Sequence, residues 1–283
     1  MSISISSAMA EGANILDAAG LSEGLREAGS LLAHTLGQDR AFLLTHAEDL
    51  LTAEQLGVFR VFVARRAARE PLQYITGRQE FFKLDFEVTP DVLIPRPETE
   101  IIVEVALELL KDDPGNYFAE VGTGSGCIAI SLLHELPDAR AVAIDVSPAA
   151  LLVAKRNADR HGVSERLILL ESDCFSGIEA IGPFALIASN PPYVFDSELK
   201  DLQREVRHEP RAALAGGADG LSIIRRLLYE APPFLRSGGY LVFEIGFGQA
   251  ESVEQLIDRH VWNLFERRED LQGIPRTFVL QKK

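Results

Sequence analysis

Tyr117-Phe118-Ala119-Glu120-Val121-Gly122-Thr123-Gly124-Ser125-Gly126 is the stretch on which the fold turns. A short apolar run leads directly into glycines at alternate positions. This pattern predicts a buried strand at 117–121 that bends sharply into a helix, with backbone a ligand can approach more closely than a Cβ would permit. The unpaired amides of the following helix N-terminus face the same point. A glycine-rich turn alone is equally at home in a purely structural strand–helix junction, so the neighbouring sequence has to decide.

Working outward, apolar runs at 141–145, 167–171, 184–189 and 240–245 read as further strands, with helical patterns between them. The clearest helix covers 148–161, with Ser147 as its cap and Gly162 as its stop. This alternation implies an α/β fold, a parallel sheet covered on both faces. Asp145 ends the second strand about twenty residues beyond the glycines, where a carboxylate can accept both ribose hydroxyl protons. Glu120 would repel a pyrophosphate but pairs with the ammonium of an aminoacyl group, which favours S-adenosylmethionine over a dinucleotide. Asp173 is placed to accept from an adenine amino group, with Cys174 and Phe175 lining the ring. The plainer role for Cys174 is that of a small buried hydrophobe.

The strand at 184–189 ends in Asn190-Pro191-Pro192-Tyr193. Ligands of an open parallel sheet sit beyond the carboxyl ends of its strands, so this tetrapeptide faces the same crevice as the glycine loop. Its composition suits one chemical difficulty: an amide or exocyclic amine nitrogen has a delocalised lone pair and is a poor nucleophile. The Asn190 side-chain oxygen can accept one N–H and the Pro191 carbonyl the other. Pro191 and Pro192 hold that carbonyl without adding a competing donor, and Tyr193 can pack on a flat substrate group. Asn-Pro also initiates ordinary turns, but the whole tetrapeptide after a strand, downstream of a glycine loop, exceeds what a turn requires. The predicted chemistry is methyl transfer to a planar nitrogen, driven by positioning and electrostatics with no covalent intermediate.

Upstream, residues 11–76 read as helical. Positions 15–36 form one stretch stopped by Gly37, and residues 1–10 read as a frayed end. Thr52-Ala53-Glu54-Gln55 fits a capping box, followed by Leu56, Phe59, Val63 and Ala67 at helical spacing, with Pro71 ending the run. These apolar stripes predict a small bundle. From Gln79 the period becomes two: Phe82, Leu84, Phe86 and Val88 alternate with charged residues as a half-exposed strand or hairpin arm. Pro97 suits a first helical position, with Glu98 and Glu100 in the favourable first turn. The expected division is a helical domain at 1–77, a hairpin linker at 78–95 and a catalytic domain at 96–283.

The chain has 283 residues and a net charge of -14, which argues against broad capture of nucleic acid. Arg65, Arg66 and Arg69 form the visible basic cluster and read as a solvated helix face, as do Glu104 and Glu108. Two cysteines, Cys127 and Cys174, suit a reducing cytoplasm. No apolar run reaches the roughly 20 residues that span a bilayer, and the start has no basic leader. The histidines are scattered without metal-ligand spacing, and no serine elbow or Gly-Lys-Ser/Thr phosphate loop occurs.

Further segments carry a resemblance. Glu70-Pro71-Leu72-Gln73-Tyr74-Ile75-Thr76-Gly77 and Leu93-Ile94-Pro95-Arg96-Pro97-Glu98-Thr99-Glu100 precede the two loops. His208-Glu209-Pro210, Ala215-Gly216-Gly217-Ala218-Asp219-Gly220, Phe243-Glu244-Ile245-Gly246 and Asp270-Leu271-Gln272-Gly273 with Arg276 follow them. From about residue 70 onward the chain closely resembles the peptide chain release factor glutamine N5-methyltransferases, the HemK family. The resemblance implies a class I methyltransferase fold, a Rossmann-like and mostly parallel seven-stranded sheet with an antiparallel strand near the C-terminus. It implies methylation of the glutamine side-chain nitrogen in the Gly-Gly-Gln motif of class 1 release factors, from S-adenosylmethionine, leaving S-adenosylhomocysteine. By position, Gly122, Thr123, Gly124, Ser125, Gly126, Asp145 and Asn190 would contact cofactor. Asn190, Pro191, Pro192 and Tyr193 would hold the substrate amide, and Arg96, Pro97, Thr99 and Glu100 would border the site. The helical domain would grip the release factor. A cytoplasmic monomer without stable nucleic-acid or membrane binding is expected. Two positions depart from the family pattern: Glu120 stands where members commonly carry Asp, and Cys174 where an aromatic often packs on adenine. The competing readings are an adenine-N6 methyltransferase on DNA or RNA, which needs basic surface and access to an extruded base, and a non-catalytic adaptor that keeps the fold.

Overall fold

The computed structural model describes residues 3–111, 116–178 and 181–283. It divides into two compact units: Met1–Gly77 with Gln203–His208, and Arg78–Leu202 with Glu209–Lys283.

The first unit is helical: α1 (Ile5–Ala18), α2 (Gly24–Leu36), α3 (Arg40–Thr45), α4 (Ala53–Ala67) and α5 (Leu72–Thr76). Three expectations are corrected here. Of the stretch expected to fray, the described residues 3–10 are ordered: α1 starts at Ile5, capped by the Ser4 hydroxyl accepting from the Ser7 amide at 3.3 Å. Ile5, Ala8 and Leu16 bury a stripe too sparse to stand out as a periodic pattern. Nor is 15–36 one helix, because Gly20 takes φ 77° and buries Leu21 in the turn between α1 and α2. The capping box at Thr52 forms as read, the Gln55 side chain accepting from the Thr52 amide at 2.9 Å and the Thr52 hydroxyl from the Gln55 amide at 3.2 Å. The arginine cluster is no solvated face. Arg66 is buried and donates to Glu27 at 2.6 Å and to Glu205 at 3.2 Å, Arg69 shares Glu205, and Arg65 pairs with Glu70. Glu205 is how the strip Gln203–His208 is held within this unit.

The second unit opens with a hairpin, β1 (Arg78–Phe81) and β2 (Leu84–Glu87). Phe82 lies in its turn rather than in a strand, with φ 48° at Phe82 and 63° at Lys83, and its amide donates to the Glu100 carboxylate at 2.7 Å. The chain then runs α6 (Glu100–Leu110), β3 (Tyr117–Val121), α7 (Cys127–Glu135), β4 (Arg140–Asp145), α8 (Pro148–Arg160), β5 (Leu167–Glu171) and β6 (Phe184–Ser189). It ends with α9 (Ser222–Glu230), β7 (Leu235–Glu244), α10 (Ala250–Leu256), β8 (Trp262–Glu269) and β9 (Pro275–Lys282). Pro97 begins a short 3-10 turn, Pro97–Thr99, that leads into α6.

The sheet order is β5-β4-β3-β6-β7-β9-β8. Neighbours are parallel up to β7, and β9 runs antiparallel to both β7 and β8. This is the mixed seven-stranded class I methyltransferase sheet. Successive strand residues serve opposite faces, as the period of two demands. Phe118, Ala141, Leu186 and Val242 pack toward α6 and α7, whereas Ala119, Val142, Ile187 and Leu241 pack toward α9 and α10. All of β6 is buried, which puts the end of a rigid central strand directly behind Asn190. Glu104 and Glu108 lie exposed on α6 as expected of a solvated face, and Glu108 pairs at the surface with Arg268 on β8. No described helix is long and apolar enough to cross a membrane.

Candidate active site

The sheet changes winding direction around β3, between β4 and β6, and a crevice opens beyond the carboxyl ends of these strands. The loop after β3 is pinned by two amides, Gly122 and Thr123, both donating to the Ile144 carbonyl at 2.8 and 3.0 Å. Gly122, Gly124 and Gly126 all hold positive φ, at 76°, 54° and 82°. A Cβ placed on Gly124 would meet nothing within 4 Å, and one on Gly122 only the Asn190 carbonyl at 4.0 Å, so this backbone borders open space. Gly126 differs. Its Cβ would lie 2.7 Å from Ile130 and 3.3 Å from Ala154, and it does not line the cleft. Its role is close packing of α7 against α8, which corrects the expectation of cofactor contact.

Gly122, Thr123, Gly124 and Ser125 do line the cleft, with Glu120, Asp145, Asp173, Cys174 and Asn190. Asp145 accepts from the Gly124 amide at 2.8 Å and the Ser147 amide at 2.9 Å, one on each oxygen, leaving further lone pairs free. Burial raises its carboxyl above the ordinary range despite these donors. Glu120 is deeply buried and accepts from the Thr123 hydroxyl at 2.6 Å and the Ala129 amide at 3.1 Å. Burial pushes its carboxyl up to about 8, the two donors pulling against it and the Asp145 charge adding to it.

At the far end of the cleft one Asp173 oxygen is held by Arg226 at 2.5 Å. Cys174 sits in the left-handed region at φ 51°, its thiol raised to about 11 chiefly by burial. Phe175 turns away: it stacks on Phe234, centroids 4.6 Å apart, inside the core, and does not line the cleft. The expectation that it would flank a ring there is corrected. Val146, itself 56% exposed, and Ile223 are among the apolar residues that do line the cleft. Neither was expected there from the sequence. Val146 was legible as an apolar residue directly after a loop carboxylate.

The tetrapeptide after β6 is tied to a buried network. Asn190 Nδ2 donates to Thr99 Oγ1 at 2.9 Å, and that hydroxyl donates to Glu244 Oε2 at 2.7 Å. The Tyr193 hydroxyl donates to the other Glu244 oxygen at 3.1 Å. Thr99 and Glu244 are each 2% exposed. Burial pushes the Glu244 carboxyl up to about 7, against the pull of Thr99, Tyr193 and Arg276. Burial also raises the Tyr193 phenol. Pro191, Pro192 and Thr99 line the cleft; Tyr193 does not.

The back of the loop is fixed by main chain. Val194 and Leu214 bond at 2.9 Å, Gly216 and Val194 at 2.8 Å, and Gln249 Nε2 holds the Tyr193 carbonyl at 3.0 Å. A Cβ on Gly216 would stand 2.8 Å from the Pro192 carbonyl, and one on Gly220 would overlap the Tyr193 carbonyl. The segment from Ala215 to Gly220 is thus glycine-rich because it backs the tetrapeptide.

Three residues expected at the border are structural neighbours instead. Arg96 pairs with the buried Glu209, which also accepts from the Ile94 amide at 3.1 Å. Glu100 holds the hairpin turn, and Pro97 starts the 3-10 turn. None of the three lines the cleft, although Pro95 does. Glu244, Glu209 and Gln249 were missed as site residues. The signal for Glu244 was a lone acid inside the apolar run Tyr240-Leu241-Val242-Phe243-Glu244-Ile245.

Two family models match the chain: the PrmC N-terminal domain over residues 7–77 and the methyltransferase small domain over 99–218. A release factor glutamine methyltransferase of Geobacter sulfurreducens is 47% identical over 249 residues, 87% of this chain and 85% of the relative. The enzyme of that name from Moorella thermoacetica is 46% identical over 249 residues, 88% of each. Among solved structures, a methyltransferase from Pyrococcus furiosus superposes with TM-score 0.53 at 20% identity, over 77% of this chain and 98% of the other. That likeness concerns the fold.

Proposed function

The chain belongs to the release factor glutamine methyltransferase family, and from that premise we propose that it methylates the side-chain nitrogen of the glutamine in the Gly-Gly-Gln motif of class 1 release factors, using S-adenosylmethionine. One observation carries the reading. The Asn190 amino group is committed to Thr99, so its Oδ1 is the end that meets a donor arriving in the cleft. An incoming primary amide offers such donors.

S-adenosylmethionine, when bound, supplies an electrophilic methyl group and leaves as S-adenosylhomocysteine. The cleft fits that molecule. The open backbone at Gly122 and Gly124 admits it, and the spare lone pairs of Asp145 suit two ribose hydroxyls. Glu120 suits an ammonium, which would draw its raised carboxyl back to the ionised form. Val146 and Ile223 offer apolar faces to a purine, beside Asp173 and Cys174.

Substrate handling falls to the tetrapeptide. Asn190 Oδ1 and the Pro191 carbonyl each accept one N–H of the glutamine amide. Holding both protons in fixed directions orients the nitrogen lone pair and lowers its delocalisation into the carbonyl. As the N–C bond forms the methyl would part from the cofactor sulfur, the nitrogen keeping one proton and losing the other to water. Tyr193, which the sequence placed against the substrate amide, instead braces the loop from outside the cleft through its hydroxyl on Glu244. The helical unit receives the body of the release factor, and the enzyme works as a cytoplasmic monomer.

Methylation assays offering purified release factor and nucleic acid side by side, with labelled cofactor, test the substrate. Label is expected in the release factor; label only in DNA or RNA would sink the reading in favour of an adenine-N6 methyltransferase. Absence of label anywhere, with cofactor bound, would favour an adaptor.

A further inference from the structure

A carboxamide is nearly symmetric in shape and opposite in chemistry at its two ends, so something must decide which end Asn190 turns to the substrate. In this structure the decision traces back to a buried carboxylate. An ionised Glu244 only accepts, and both its oxygens are engaged, one by Thr99 at 2.7 Å and one by Tyr193 at 3.1 Å. The single Thr99 proton therefore points to Glu244, and Thr99 Oγ1 is left only able to accept. It accepts from Asn190 Nδ2 at 2.9 Å.

We propose that Thr99 and Glu244 are positioning residues for the methyl transfer: the fixed hydrogen-bond direction from Asn190 through Thr99 to Glu244 locks Asn190 with Oδ1 toward the substrate amide. The assignment deepens the function proposed above and rests on it. Glu244 lies outside the cleft lining and Thr99 turns its hydroxyl to Glu244, so both act through Asn190. With the carboxamide reversed, an amino group would face the incoming N–H donors, and donor would meet donor. The chain also ties three segments together: the 3-10 turn before α6, the end of β7 and the loop after β6. Tyr193 shares the same carboxylate, so the two ends of the tetrapeptide are registered on one group.

The test uses the full-length enzyme, a class 1 release factor and S-adenosylmethionine. Wild type is compared with Thr99→Val, Thr99→Ser and Glu244→Gln, reading kcat, KM for release factor, cofactor Kd by calorimetry and melting temperature. Thr99→Val keeps the shape and loses the relay. It is expected to lower kcat about tenfold or more while cofactor Kd and KM stay within about twofold. Thr99→Ser restores the hydroxyl and recovers most of the lost turnover. Glu244→Gln can donate to Thr99 and reverse the relay, so it falls at least as far as Thr99→Val. Should Glu244→Gln fail to fold, the Val and Ser pair still decides. An active wild type matched by Thr99→Val overturns the assignment alone, as does a Ser variant no better than Val. A wild type that binds cofactor yet adds no methyl to the glutamine overturns the underlying reading and this assignment with it.

Discussion

Asn190 hydrogen bonds through both the shape and the polarity of one small group, so its removal should separate binding from chemistry. Asn190→Ala takes away the acceptor for the substrate N–H but leaves Asp145 and the glycine backbone intact. Turnover is expected to drop about 10²- to 10³-fold, as for loss of a single well-placed polar group at a reacting centre, with cofactor affinity nearly unchanged by calorimetry. Glu244 gives a second residue-level prediction, of pH dependence. The group is raised to about 7, and its ionised form is the one that fixes Thr99 and Tyr193. As pH falls through about 7 it gains a proton, becomes a donor, and the relay loses its direction. At saturating cofactor, kcat should therefore fall on the acid side and level off above it. The groups facing Glu244 are Thr99 and Glu98 from the 3-10 turn, Tyr193 from the tetrapeptide and Arg276 from β9; of these, Thr99, Tyr193 and Arg276 favour its ionised form and Glu98 opposes it. Glu244→Gln should flatten the limb, and an unchanged limb in that variant would assign it elsewhere.

At the scale of elements, the tetrapeptide is as rigid as its backing. Gly220 sits at φ 70° under the Tyr193 carbonyl and the Gln249 amide, where a Cβ would collide with both. Gly220→Ala should cost about 1–3 kcal/mol from backbone strain alone, lower the melting temperature, and reduce kcat by displacing Tyr193. A variant of wild-type stability and rate would show that this segment does not brace the loop. The parallel strands around the cleft were legible because each is a short apolar run facing two helical layers. The edge pair was not. Along β8, buried or half-buried residues alternate with exposed ones, and Glu266, Arg267, Arg268 and Glu269 make it read as a solvated tail until its pairing with β9 is seen. The glycine loop and Asn190 were legible from composition and spacing. Gly126 and Phe175 were misplaced because a motif cannot distinguish a glycine that clears space for a ligand from one that clears space for Ala154. Nor can it say which way Phe175 turns from the main chain. Glu244 escaped because its partners Thr99 and Tyr193 are remote in sequence and meet only through the sheet.

For the molecule as a whole, two compact units share one chain, and the strip Gln203–His208 belongs to the helical one through Glu205 and the Arg66 and Arg69 guanidinium groups. What read as surface charge is internal structure, so the basic cluster offers no patch for phosphates, in keeping with the net charge of -14. The same charge balance turned the sequence reading from nucleic acid toward a protein substrate. The central claim is that Asn190, held by Thr99 and Glu244, presents an acceptor to one glutamine amide. Mass spectrometry of release factor peptides, after incubation with the enzyme and S-adenosylmethionine, tests it most directly. The account predicts a gain of one methyl on the glutamine of Gly-Gly-Gln, lost in Asn190→Ala. A methyl on any other residue, or an equal gain with Asn190→Ala, would contradict it.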